Sequence, residues 1–144
     1  MTIEWPVAPN SSAMTVQVVD NTAAPANILD SGLQTTVRIN LTVPPPNNST
    51  IGGSFRLRAY AESIGPGQEI QIGPTENRPV VPGQTNYAAD IVVPPNTLRG
   101  EGELFGGVAV SGVYKIIAVL QHLNPVATEV SGFAEATIRM FRTP

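Results

Sequence analysis

Apolar residues recur at every second position in several short runs of this chain, and glycines or prolines close each run before it can lengthen. The clearest case is Val37, Ile39, Leu41 and Val43, which alternate with Thr36, Arg38, Asn40 and Thr42 and stop at Pro44, Pro45 and Pro46. A period of two puts one set of side chains on each face of a strand, and proline ends the run because it has no N–H to give to a ladder. The same rhythm marks Met14, Val16 and Val18, then Phe55, Leu57, Ala59 and Ala61, then Tyr87, Ala89, Ile91 and Val93 before Pro94 and Pro95. Thirteen glycines and fourteen prolines fall between these alternations and not inside helical repeats. The pattern therefore predicts strands and turns with no significant helix.

Between the clear runs, Gln68 to Gly73 reads as a short strand and Pro74 to Pro79 as a polar crossing without periodicity. Asn96 to Ser111 carries Gly100, Gly102, Gly106 and Gly107 around Leu104 and Phe105, a composition with room for a hairpin. The last two strands are Gly112 to His122 and Glu129 to Phe141, joined across Asn124-Pro125. Spacing of this kind suits an all-β, single antiparallel β-sandwich of about seven to nine strands. The whole chain, 1–144, reads as one domain, with 1–13 an extended segment that packs on the sandwich through Trp5. The proline triplet resembles a polyproline ligand, but a connector between sheets is the simpler reading.

At 144 residues the chain is long enough to bury roughly 68% of its unfolded surface in a single core. Charged residues are only 13%, about half the usual share, so Asn, Gln, Ser and Thr have to supply most of the solubility. A net charge of −3 argues against nucleic acid, whose phosphates call for a basic field. Of the eight cations only Lys115 is lysine, and arginine is the cation better suited to partly buried pairing at contacts. The absence of cysteine removes disulfides, thiol chemistry and thiolate metal sites together. The first residues, MTIEWPVAPNSSAM, lack the basic and apolar regions of a secretory signal, and Gly106 to Leu120 is too short and interrupted to cross a bilayer. No membrane insertion is expected, and the compartment stays open, with the cytoplasm or a larger assembly as the default. Asn-x-Ser/Thr matches at Asn10, Asn40 and Asn47 to Asn48 are what such a composition produces by chance.

Groups that carry chemistry are scarce. His122 is the only histidine, at a strand end that favours a structural role. A Ser111, His122 and Asp90 set can be composed on paper, but no nucleophile elbow accompanies it. Zinc has too few ligands here. Asp20, Asn21 and Asp30 offer oxygens for calcium, yet they are also ordinary turn residues. The expectation is a non-enzyme with no cofactor and no metal.

Val80 to Thr85 leading into Tyr87 to Pro94, and later Ser111 to Ile116, resemble the middle and late strands of immunoglobulin-like and fibronectin type III-like sandwiches. The resemblance covers about half of the chain and concerns the fold alone. It implies that Tyr114 opens the penultimate strand, points inward and returns its hydroxyl to the backbone of the preceding corner. The family's cysteine pair is missing, Trp5 does not lie on the third strand, and the crossing before Tyr114 is long.

With Tyr114 inside, Ile116, Ala118 and Leu120 follow it inward, so Lys115, Ile117, Val119 and Gln121 face outward. The same parity carried along the last strand places Phe133, Arg139 and Phe141 outside. In such a topology these strands adjoin the one bearing Arg56, Arg58 and Tyr60. The expected outer face thus mixes Ile, Val, Phe, Tyr and Arg, a composition closer to an interface than to a solvated surface. Cover by the Asn96 to Ser111 crossing or by the Trp5 segment is the competing reading. The functional expectation is a structural or interaction subunit with a protein partner, self-associating as a homo-oligomer or docking onto an appendage, injection apparatus or virion. The alternative is a carbohydrate- or peptide-binding adhesion module that uses Arg56, Arg58 and Tyr60.

Overall fold

In a computed structural model the described residues are Ile3, 14–136 and 139–142, without the side chain of Glu129. The period-two runs become strands. β1 (Met14–Val19), β3 (Thr35–Thr42) and β6 (Asn86–Val93) form an antiparallel sheet in the order β1-β3-β6. In its register Val18 faces Val37, Val37 faces Ile91 and Leu41 faces Tyr87, so one side of the sheet is apolar throughout. The other side is polar and carries an Arg38–Asp90 ion pair at 3.1 Å. The proline triplet ends β3 as expected, and a single turn, α1 (Asn47–Thr50), follows it. Asn48 is buried there and donates through Nδ2 to the Gly83 carbonyl and the Thr85 hydroxyl, so the triplet serves as a packed connector.

The second sheet is built on β9 (Val113–Leu123), which holds β4 (Ser54–Ser63) on one side in unbroken register from Ser54 opposite Leu123 to Ser63 opposite Tyr114. On its other side β9 pairs first with β10 (Ala127–Glu135) and then with β11 (Arg139–Arg142), while β5 (Glu69–Pro79) lies beyond β4. The three-residue β2 (Ile28–Asp30) completes the sheet by pairing parallel to β11. The inner faces of the two sheets share one apolar core that includes Val37, Ile39, Leu41 and Ile91 from one sheet and Phe55, Leu57, Ile116 and Leu120 from the other. Phe55 meets Tyr87 across the gap as an edge-to-face pair with centroids 5.1 Å apart. Ile3 is also fully buried in this core, whereas Trp5 and the rest of the 1–13 segment lie outside the described residues.

Three local expectations change. Pro74 to Pro79 is not a crossing but the continuation of β5, an edge strand whose alternation is hidden by irregular pairing. Between Leu57 opposite Glu76 and Ala59 opposite Ile72, β5 spends two extra residues around Gly73, whose φ of +70° suits glycine. Asn96 to Ser111 contains the hairpin of β7 (Leu104–Phe105) and β8 (Val108–Ala109), turned at Gly106-Gly107 with φ of +60° and +81°. With these short elements and β2, the described residues hold eleven strands, more than the seven to nine expected.

The third change concerns the end of the chain. Glu135 lies opposite Ile117 and Arg139 opposite Tyr114, so the last strand advances four residues while β9 advances three. One extra residue inverts the alternation. Phe133 points outward at 53% exposure, but Arg139 and Phe141 are buried at 7% and 3%. The expectation that Arg139 and Phe141 lie on the outer face is therefore corrected: Phe141 packs edge-to-face on Tyr114 at 5.6 Å, and Arg139 is turned inward with it.

Candidate docking surface

The outer face of the second sheet is laid out by strand pairing. β4 turns Arg56, Arg58, Tyr60 and Glu62 outward, because Phe55, Leu57, Ala59 and Ala61 take the core side. β9 turns out Lys115, Ile117, Val119 and Gln121, and all four are half-buried. Their registers align them into rows across the strands. Glu135, Ile117, Tyr60 and Gln71 make one row, and Phe133, Val119 and Arg58 make the next. Arg56 and Gln121 lie beyond Arg58, with Ser131 on the β10 side and Asn77 on the β5 side, while Lys115, Glu62 and Glu69 lie beyond Tyr60. Six of the eight candidate residues, Arg56, Arg58, Tyr60, Ile117, Val119 and Phe133, thus share one face.

The charges on this face are segregated. Arg56 donates through Nη2 to Gln121 Oε1, while its Nε is buried without a hydrogen-bond partner. At the other end Lys115 lies 3.9 Å from Glu135, leaving Glu62 and Glu69 as the excess charge. Between the two ends Arg58 and Tyr60 make no side-chain hydrogen bond or ion pair among the described residues. The β7–β8 hairpin does not fold over this surface. Its base is tied by Glu101 N–H to the Phe141 carbonyl, by Gly102 N–H to Val110 and by Ser111 N–H to Pro66, which seats it at the end of the sandwich where β9 begins. The hairpin exposes an apolar tip of its own at Leu104, Phe105 and Val108, with the Arg99 guanidinium 5.9 Å from the Phe105 ring.

The other sequence candidates are dispersed. His122 is buried, with Nε2 2.7 Å from the Gly52 carbonyl and Nδ1 2.9 Å from the Thr128 hydroxyl. Because a carbonyl only accepts, Nε2 donates to Gly52, while Nδ1 lies beside the Thr128 hydroxyl, which also reaches the His122 carbonyl at 3.2 Å. The ring clamps β9 to the strands on each side and has no free nitrogen for proton transfer. Ser111 precedes β9 at its far end and donates to the Ile64 carbonyl, and Asp90 is on the other sheet with Arg38, so these three residues do not meet. Asp20, Asn21 and Asp30 do line one shallow hollow of about 200 Å³. Asp20 Oδ1, however, accepts from Thr22 N–H, Thr22 Oγ1 and Ala24 N–H, which hold its carboxyl below the usual range, and Asp30 Oδ1 accepts from Gly32 N–H. Both carboxylates build turns. Among the described residues no group of three or more His, Cys, Asp and Glu side chains converges.

Tyr114 occupies the place that the resemblance implies. It is fully buried, and its hydroxyl donates to the Arg99 carbonyl at 2.8 Å in the crossing that leads into β9. Burial, and after it the nearby Glu103 carboxylate, raise its pKa above 10.0. Among the described aromatic residues, Tyr60 and Phe133 share the outer face, and the β9 row separates them. Taken together, the molecule is an all-β chain of two packed sheets whose outer face combines aliphatic, aromatic and arginine side chains. Compared with known proteins, the chain matches no family model and no curated sequence.

Proposed function

We propose that this chain is an immunoglobulin-like β-sandwich that works as a non-enzymatic structural or interaction subunit and docks another protein on the β10-β9-β4 face. The fold assignment is supported by the order β1-β3-β6 against β2-β11-β9-β4-β5, by the first strands dividing between the sheets, and by the Tyr114 hydroxyl bonding back to the preceding corner. The observation that carries the docking role is the pair of rows in which Ile117 and Val119 lie between Tyr60, Arg58 and Phe133 on a face that no described element covers. Burying two such aliphatic side chains contributes about 1.5 to 3 kcal/mol each before ordering costs, and aromatics with arginine are the usual anchors of protein contacts.

The test is site-specific photo-crosslinking in the producing cell, with the reactive residue at 117 or, as a control, at Val92, which is exposed on the opposite sheet. A protein-sized adduct from 117 and none from 92 is the expected result. Equal or absent labelling at the two sites overturns the docking role. The second reading, a carbohydrate- or peptide-binding module, is supported by the side chains of Arg58 and Tyr60, which make no hydrogen bond or ion pair among the described residues. A glycan or peptide array signal that Tyr60→Ala abolishes would favour it over docking.

A further inference from the structure

We propose that the occupant of this face is a second copy of the same chain, related by a two-fold axis that runs across the strands between the Ile117 and Val119 rows. The inference rests on the docking role above and adds the identity and orientation of the partner. The charge pattern leads to it. Successive outward positions along a strand are about 6.8 Å apart, and a rotation about this axis keeps each strand over its counterpart while reversing the order of the rows. Ile117 then meets the second copy's Val119, and Tyr60 meets the second copy's Arg58, a cation over an aromatic ring. One step further out, Glu62 meets the second copy's Arg56. Every one of these contacts occurs twice, as an isologous interface requires. The basic end of one copy thus lies on the acidic end of the other, and Arg58 and Tyr60, which make no side-chain hydrogen bond or ion pair among the described residues, find each other.

The other two-fold arrangement, with the axis along β9, is disfavoured by the same pattern. It lays Lys115 on Lys115 and puts Arg56 and Arg58 over Ser131 and Phe133, with no carboxylate for either arginine. The size of the patch sets the strength of the contact. Together with β5, whose Gln71, Asn77 and Glu69 end the rows, the face has four strands about 4.8 Å apart and four rows about 6.8 Å apart, which cover roughly 500 Å² per copy, or about 1,000 Å² in total, the low end of specific interfaces. The dimer is therefore a weak one that concentration drives.

Sedimentation equilibrium of the purified full chain, from about 5 to 500 μM, tests this. The expected result is a mass that climbs from one chain toward two, and an Ile117→Lys chain that associates at least about tenfold more weakly. Arg56→Glu and Glu62→Arg each weaken association by about tenfold or more, and their equimolar mixture recovers it, because each reversed charge then faces its complement across the axis. All three positions are outward-facing, and circular dichroism melts confirm that the variants fold. A wild type that keeps the mass of one chain throughout, while residue 117 still crosslinks a different protein, overturns the second copy and leaves the docking role intact. No crosslink at all removes both. A dimer indifferent to Ile117→Lys, or a mixture no better than its components, overturns the two-fold geometry.

Discussion

At the scale of single residues the most informative group is the phenol of Tyr114. It is sealed from solvent, packed against Phe141, and satisfied by one strong bond to the Arg99 carbonyl at 2.8 Å. Tyr114→Phe keeps the packing and strands that carbonyl, so a loss of about 1 to 2 kcal/mol is expected in urea unfolding. The same hydroxyl links stability to pH. Its folded pKa is raised above 10.0, chiefly by burial, so between the unfolded and the folded value the native state holds a proton that the unfolded chain has released. The contribution is complete below pH 10 and is lost as pH rises through the folded value. Urea midpoints measured from pH 8 upward are expected to fall more steeply for the wild type than for Tyr114→Phe. The inward aim of this side chain was legible in the sequence only through the sandwich resemblance, because Ile116, Ala118 and Leu120 alternate with the equally apolar Ile117 and Val119 and the period alone does not choose between the faces. The carbonyl that it finds was not, since Arg99 lies across an irregular crossing without periodicity.

At the scale of elements, a single extra residue decides what the last strand presents. Phe133 and Phe141 share one parity in the sequence, and a regular strand would put both on one face. The shift between Glu135 opposite Ile117 and Arg139 opposite Tyr114 sends Phe133 to solvent and Phe141 to the core. Phe141→Ala is therefore expected to cost about 3 to 5 kcal/mol, and Phe133→Ala less than about 1 kcal/mol, by the same urea assay. Equal effects would mean that the register is continuous. Nothing in the residues from Ala134 to Met140 announces the shift, because it satisfies partners on β9 and β2 that are distant in the chain. The long strands β3, β4, β6 and β9 were readable because each buries one face against a whole sheet. β2 and the second half of β5 were not: three residues show no period, and an edge strand with extra residues around Gly73 loses its own.

At the scale of the whole molecule, Gly73 marks where the two sheets close on each other. A Cβ built there would come within 2.6 Å of the Val92 carbonyl oxygen and of Ile91 Cγ2, so β5 presses its bare backbone on the edge of β6. Arg78 strengthens the same seam by donating from Nε to the Ala88 carbonyl of that edge. Gly83 has a similar positive φ of +84° but open space around the Cβ position. Gly83→Ala carries only the conformational cost, about 1 kcal/mol, while Gly73→Ala adds displacement of β6 and is expected to cost at least about twice that. Comparing the two thermal midpoints separates backbone strain from the joining of the sheets. The covered edge also leaves the β10-β9-β4 face as the broad surface on which docking of a second copy is proposed.

The all-β class and the strand-rich layout followed from the sequence itself, because alternation against an apolar core is a local rule that each strand obeys separately, whereas the inward set of β9, a run apolar at both parities, was implied only by the sandwich resemblance. Which residues gather into rows, where Arg139 and Phe141 end up, and how the sheets meet at Gly73 were decided only in the folded molecule. Register and edge closure are agreements between segments far apart in the chain, and a one-residue shift in such an agreement reverses every side chain beyond it.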